Sequence, residues 1–229
     1  MVESQVRPSD ITDRRIIRAM LELPRHEFVA QRRWPLAYAD GDAPLDAPDG
    51  VGDGRGDGAG VAAGDHRYLL APRLLAKLLQ IADVKAHDLV LDIGCGSGYS
   101  TALLAALCGR VTGLEHDPAL VERANRLLAL LKVSNAKVVH GQLSAGHAGA
   151  APFNLIMLNG SVTQVPGSLF EQLKDGGRLV AVVAGADAAT QTGSAMVYCK
   201  TSGTVGGRSA FNAQAPRLPG FEAPQIFTF

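Results

Sequence analysis

The chain predicts an α/β fold, a mostly parallel central sheet with helices on both faces. Three observations lead there. From residue 72 onward, short apolar runs alternate with amphipathic stretches. The first run, Leu89-Val90-Leu91-Asp92-Ile93, has the apolar character of a buried parallel strand. A glycine-rich turn, Gly94-Cys95-Gly96-Ser97-Gly98, follows that run and opens onto a helical pattern.

The elements follow in order. Residues 9–24 read as a helix, with Thr12 as N-cap, an apolar stripe of Ile16, Ile17, Met20 and Leu21, and Pro24 as its stop. Residues 41–64 carry eight of the 26 glycines, five aspartates and one basic residue, with no hydrophobic period. They read as a flexible insertion or long surface loop. Pro72 suits the first turn of a helix through Leu74, Leu75, Leu78 and Leu79. The strand at Leu89–Ile93 precedes a helix around Ser100–Leu107. Arg110–Leu114 is the second strand of this series, and Asp117-Pro118 starts a helix that ends near Leu131. Ala136–His140 and Phe153–Leu158 read as strands. Pro166–Leu173 reads as a helix stopped by Gly176-Gly177, and Arg178–Val183 as a strand. Ala195–Lys200 and Gln225–Phe229 are candidates to finish the sheet. The leucines at 127, 128, 130 and 131 read as a helix face packed on that sheet.

Composition narrows the function classes. The chain has 229 residues, which suits one domain, and 47% of them are hydrophobic, enough for a sizeable core. Within that domain, residues 1–40 read as an N-terminal helical cap, 41–64 as the insertion and 65–229 as the core with its C-terminal strands. The 22 basic and 22 acidic residues cancel, which argues against a nucleic-acid or anionic-membrane partner. No apolar run reaches the ~18 residues of a membrane span, and the mixed charges of Met1–Arg15 do not form a signal peptide. Cys95, Cys108 and Cys199 fit neither a disulfide framework nor a zinc site, so a cytoplasmic location is expected.

The chemistry concentrates in Asp92-Ile93-Gly94-Cys95-Gly96-Ser97-Gly98-Tyr99. Ligands of such folds sit at the carboxyl ends of the strands, where this turn lies. The spacing is G-x-G-x-G, not the G-x-G-x-x-G of a dinucleotide site, and there is no Walker lysine. Asp92 is unfavourable beside a pyrophosphate and suits a ligand with an ammonium or sulfonium charge. Glu115 ends the next strand, 17 residues past Gly98, and an acid there can accept both hydroxyls of a ribose. The six histidines show no metal-binding spacing, and the insertion's aspartates do not match a calcium loop, so no metal is expected. Cys95 reads as a small packing residue, and Arg55-Gly56-Asp57 as chance.

The turn and Glu115 together resemble the cofactor site of class I S-adenosylmethionine (SAM)-dependent methyltransferases. The flanks narrow the resemblance. Met1–Arg7 (MVESQVR), Pro24–Val29 (PRHEFV) and Leu36–Asp40 (LAYAD) are similar to N-terminal motifs of protein-L-isoaspartate O-methyltransferases. Leu91–Tyr99 matches that family's cofactor motif, and Asn154–Val180 its later strand-helix-strand. The resemblance implies a Rossmann-like class I methyltransferase fold. It implies SAM as cofactor and methyl transfer to the carboxylate of isoaspartyl residues in damaged proteins. Asp92 and Gly94, Gly96 and Gly98 would hold the methionine part of SAM. Glu115 would bind the ribose, with His116 beside the adenosine. Gln142 and Leu143 would lie near the adenine, where the family more usually has an acid near position 142. Asn159 and Gly160 would face the methyl-donor end.

One motif departs from the family. Its T-I-S-Q-P stretch stands here as Tyr68-Leu69-Leu70-Ala71-Pro72. Leu70 replaces the serine and can neither donate nor accept a hydrogen bond. Tyr68 stands at the threonine position and is a candidate replacement hydroxyl. Two other readings stay open, a family member with another methyl acceptor and a SAM-binding pseudoenzyme or regulator.

Overall fold

The computed structural model describes residues 1–45, 67–185 and 193–221. Residues 2–9 wind into a π-helical turn (Val2–Val6) and a 3-10 turn (Arg7–Ser9) that ends on Asp10 in the left-handed region. The first α-helix, α1 (Arg14–Glu22), therefore starts later than the apolar pattern suggests. Its cap is Asp13, not Thr12. The Asp13 carboxylate accepts the Arg15 N–H at 2.8 Å, placing negative charge at the positive end of the helix. Thr12 instead donates its N–H and hydroxyl to Gln80, which ties α1 to the next helix.

Two short strands, β1 (Ala43–Pro44) and β2 (Tyr68–Leu69), form an antiparallel ribbon. The expected insertion thus begins with structure. Ala43 and Leu45 alternate into the core, and the Leu45 N–H donates to the Arg67 carbonyl at 2.7 Å. The remainder of that stretch lies outside the described residues, as do its aspartates beyond Asp42, Arg55-Gly56-Asp57 and His66.

The expected alternation follows: α2 (Pro72–Ala82), β3 (Leu89–Ile93), α3 (Tyr99–Ala105), β4 (Arg110–Glu115), α4 (Pro118–Leu130) and β5 (Ala136–His140). Pro118 begins α4 behind an Asp117 cap. Then come β6 (Phe153–Val162), α5 (Gly167–Glu171), β7 (Leu173–Val183), β8 (Gly193–Thr201) and β9 (Thr204–Ala213). The seven strands β3–β9 form one sheet in the order β5-β4-β3-β6-β7-β8-β9. The strands from β5 to β7 are parallel, and β8 and β9 are antiparallel additions.

Side chains alternate across this sheet. Val90, Leu155, Met157, Val180 and Val182 pack with α1–α4 on one face. Leu91, Ile93, Ile156, Leu158, Leu179 and Ala181 pack with Leu169 of α5, Leu218 and Phe221 on the other. Each of these strands is covered twice, which is why its sequence is a continuous apolar run. The mostly parallel sheet with helices on both faces, read from the alternation, is the architecture found.

Several local expectations need correction. The helix at 166–173 is shorter, because Leu173 pairs with Phe153 and already belongs to β7. Gly176-Gly177 lies inside β7 and does not stop a helix. A Cβ at Gly177 would lie 2.7 Å from the Lys174 carbonyl oxygen, so the glycine serves a close backbone approach at an irregularity in the pairing. Leu127 and Leu128 pack as expected, but Leu130 is 68% exposed because its position turns away from the sheet. β9 was not foreseen, since its polar, glycine-rich sequence suits an edge strand rather than a buried one. Its signal is the Ser202-Gly203 turn, both residues at positive φ. The candidate strand Gln225–Phe229 lies outside the described residues. Among the described residues no helix is long and apolar enough to cross a membrane.

Candidate cofactor and active site

Parallel pairing brings the carboxyl ends of β3, β4 and β6 to one edge of the sheet. Asp92, near the end of β3, is fully buried. Its Oδ2 accepts the Ser100 and Thr101 hydroxyls, each at 2.7 Å, and its Oδ1 accepts the Asn159 amide. Burial pushes this carboxyl up to about 6, although the three hydrogen bonds oppose the rise. Asp92 therefore braces the start of α3 against the end of β6.

The turn after β3 has Gly94, Gly96 and Gly98 at φ of 71°, 57° and 93°. Gly98 caps α3, and a Cβ there would lie 3.1 Å from the Ala124 Cβ of α4. Strain and contact act together, so Gly98→Ala is expected to cost about 1–2 kcal/mol in urea denaturation. An unchanged midpoint would contradict the packing of α3 on α4.

Glu115 ends β4 with no exposure. Its carboxylate accepts the Gly96 N–H at 2.8 Å, the His116 N–H at 2.8 Å and the three bonds of an arginine, Arg67. His116 Nδ1 lies 2.7 Å from Oε1. Burial alone would raise this carboxyl, but the His116 bond, the Arg67 charge and the Gly96 N–H outweigh it and hold it down at about 2. The same bond raises His116.

Arg67 precedes β2 and lies over the turn. Its Nη2 donates to the Gly94 carbonyl at 2.6 Å and pairs with Glu115 at 3.1 Å, with side-chain exposures of 4% and 0% for the two partners. Two leucines complete the cover. Leu45 sits against Gly96, where its Cδ1 takes the space a Cβ would need. Leu218 sits against Gly94 and Gly160, with its Cδ2 2.6 Å from where a Gly94 Cβ would be. Leu218 is held there because its N–H donates to the Ser161 carbonyl at 2.9 Å and Ser161 donates to Pro216.

The remaining sequence candidates distribute as follows. Asn159 and Gly160 lie at the end of β6 beside this turn. Gln142 is exposed and donates to the Ser144 hydroxyl at 3.2 Å, while Leu143 is buried in the core with Leu218. Tyr68 and Leu70 line a cavity of about 10 Å³ with Cys95, Tyr99, Ser100 and Asn159. That is room for about one water. The buried Cys95 thiol is pushed well above its usual range, chiefly by burial, and so stays a neutral packing group. Arg25, also buried, donates to the Ala37 and Leu70 carbonyls and lies 5.1 Å from the Tyr99 ring centre. It fixes the backbone at Leu70. Sequence reading missed Arg25, Arg67, Leu45 and Leu218. Arg67 carried a faint signal, a single charge at the head of an apolar run, and Leu218 carried none.

The donor set fits a SAM-type cofactor chemically. A buried acid ends the second strand, a glycine turn with close backbone approach follows the first, and a second acid and an amide flank it. The space above those groups is held by Arg67, Leu45 and Leu218, all from outside the β3–turn–α3–β4 unit.

A family profile for protein-L-isoaspartate(D-aspartate) O-methyltransferase matches residues 1–206. The chain is 34% identical over 183 residues to a protein-L-isoaspartate O-methyltransferase of Methanoculleus marisnigri, covering 80% of this chain and 75% of that one. It is 35% identical over 180 residues to one of Koribacter versatilis, covering 79% and 73%. A solved protein-L-isoaspartate O-methyltransferase superposes with a TM-score of 0.76 at 23% identity, over 93% of this chain and 63% of that one. A putative one from Plasmodium falciparum, in complex with S-adenosyl-L-homocysteine, gives 0.68 at 21%, over 92% and 94%. At those identities the structures speak for the fold, and the profile and the sequence relatives speak for the family. By the extent of those matches the chain belongs to the protein-L-isoaspartate(D-aspartate) O-methyltransferase family of class I SAM-dependent methyltransferases.

Proposed function

We propose that this protein transfers a methyl group from SAM to the carboxylate of an isoaspartyl residue in a damaged protein or peptide. The observation that carries the reading is the glycine turn with Glu115 at the neighbouring strand end, in a chain of this family. Bound SAM supplies an electrophilic methyl group on a sulfonium sulfur. The chain's share is binding and alignment. Glu115 takes the ribose hydroxyls, with His116 beside the adenosine and Gln142 and Leu143 toward the adenine. Gly94, Gly96 and Gly98 hold the methionine part, with Asp92 beneath them, and Asn159 and Gly160 border the methyl end. The acceptor carboxylate has a pKa of about 4 and is already a nucleophile at neutral pH, so no general base is needed. Positioning is the main catalytic task. A cytoplasmic location suits the three unpaired cysteines.

Tyr68 is the candidate to orient the acceptor, since it lines the small cavity beside Asn159 while Leu70 offers no hydrogen bond. The test is methyl transfer from labelled SAM to an isoaspartyl peptide, with the matched aspartyl peptide as control. Transfer to the isoaspartyl peptide alone is expected, with Tyr68→Phe slower by about tenfold, the scale of one lost orienting hydrogen bond. Equal rates for Tyr68→Phe and parent would remove Tyr68 from that role. The small cavity and the leucine at position 70 favour a second reading, a member with another acceptor or a SAM-binding regulator. Saturable SAM binding without isoaspartyl transfer, under conditions where a repair enzyme works, would select it.

A further inference from the structure

We propose that Arg67 is a built-in competitor for the cofactor site, a latch that SAM must displace from Glu115 and Gly94 before it binds. The inference rests on the SAM reading above and adds the regulation of that site. Four observations carry it. Arg67 takes both oxygens of Glu115, the groups assigned to the ribose. It also takes the Gly94 carbonyl at 2.6 Å, inside the glycine turn. Both partners are buried, so the guanidinium is not a solvent-exposed ion pair. And Arg67 does not stand alone, since Leu45, joined to it by a backbone hydrogen bond just beyond the β1–β2 ribbon, fills the space over Gly96.

Shared acceptor atoms make the competition direct. SAM and S-adenosylhomocysteine both bring ribose hydroxyls and a zwitterionic amino-acid end to a site whose fixed acids are Asp92 and Glu115. Arg67 already neutralises Glu115 there. The guanidinium and the ribose hydroxyls cannot hold the same Glu115 oxygens at once, so Arg67 must leave for the cofactor to bind. The ribose hydroxyls then take over the Glu115 oxygens. In the latched form the protein is closed to the cofactor, and its apparent affinity falls by the fraction of molecules that are open.

The test measures binding of S-adenosylhomocysteine, by calorimetry and by stopped-flow tryptophan fluorescence, to the parent and to Arg67→Met. Methionine keeps the length and apolar stem and removes the charge. The latch expects Arg67→Met to bind about tenfold or more tightly than the parent, because no closed fraction remains. It also expects the parent's observed binding rate to level off with ligand concentration at the opening rate. Equal affinities, or a parent rate that rises linearly without a plateau, would overturn the latch and leave SAM binding standing. Binding to neither protein would overturn the SAM reading and the latch with it. Binding to the variant alone would support both. If Arg67→Met fails to fold, the parent's rate profile decides by itself.

Discussion

Glu115→Gln is expected to destabilise this protein by about 3–5 kcal/mol, because it strands the buried Arg67 guanidinium without its counter-charge. Both Glu115 oxygens face donors. Oε2 accepts from Gly96 and Arg67, and Oε1 from the His116 N–H and Arg67, with His116 Nδ1 beside it. A glutamine NH₂ must point at one of those donor sets, which adds an unsatisfied donor to the unpaired cation. Arg67→Met is costly from the other side, since Glu115 keeps its backbone donors but loses the cation that offsets its burial. The double variant removes both charges together. Its loss of stability is expected to fall short of the summed single losses by about 2 kcal/mol, as contacting charged partners behave in such cycles. Urea denaturation at pH 7 of the four proteins measures this. Losses that add within about 0.5 kcal/mol would mean that Arg67 and Glu115 do not meet in solution. The latch proposal would then fall independently of any ligand.

The β3–turn–α3 unit was legible because its signals are local. An apolar run, three glycines at fixed spacing and a helical stripe follow one another directly within residues 89–107, and parallel pairing follows from the alternation. Glu115 was legible as a strand end for the same reason. Arg67 and Glu115 are 48 residues apart, and nothing near either one names the other. That contact depends on the β1–β2 ribbon, whose two-residue strands are too short to leave a pattern. Leu218 reaches the turn only because Ser161 pairs its backbone with the 216–218 segment, a tertiary event without a sequence period. At the helix start, Thr12 and Asp13 are both good caps by type, and the choice between them was made by Gln80 in another helix. The family was legible from its motifs. Whether its ligand space is open depends on side chains that the motif does not contain.

Asp92 is expected to contribute a gain in stability as the pH falls from 7 to about 4.5. Its carboxyl sits at about 6 in the fold against 3.8 when exposed, chiefly because of burial. The folded value is raised, so the protonated form favours the fold. The contribution is full below the unfolded pKa and is lost as the pH rises through about 6. Between pH 7 and 4.5 this gain amounts to about 2 kcal/mol, at ~1.4 kcal/mol per pH unit below the folded pKa. Glu115 runs the other way, held at about 2 in the fold against 4.5 when exposed. Its contribution is present above the unfolded pKa and is lost as the pH falls toward 2, taking back only about 0.4 kcal/mol by pH 4.5. His116, raised by Glu115, adds to the gain on the neutral side, because its contribution is full below its unfolded pKa and fades as the pH rises through the folded one. The sum of these three contributions therefore climbs on mild acidification and turns over at about pH 4, where Glu115 takes up a proton in the unfolded chain and stays ionised in the fold. Asp92→Asn isolates the effect. It is isosteric, Ser100 and Thr101 can rotate their hydroxyls to accept from its amide, and it has no charge to bury. Urea midpoints taken from pH 7.5 to pH 4 are expected to rise for the parent and to stay flat or fall for Asp92→Asn. A difference between parent and Asp92→Asn that does not grow as the pH falls from 7 would mean that Asp92 is solvated, and hence that the side chains over the glycine turn do not seal it in solution.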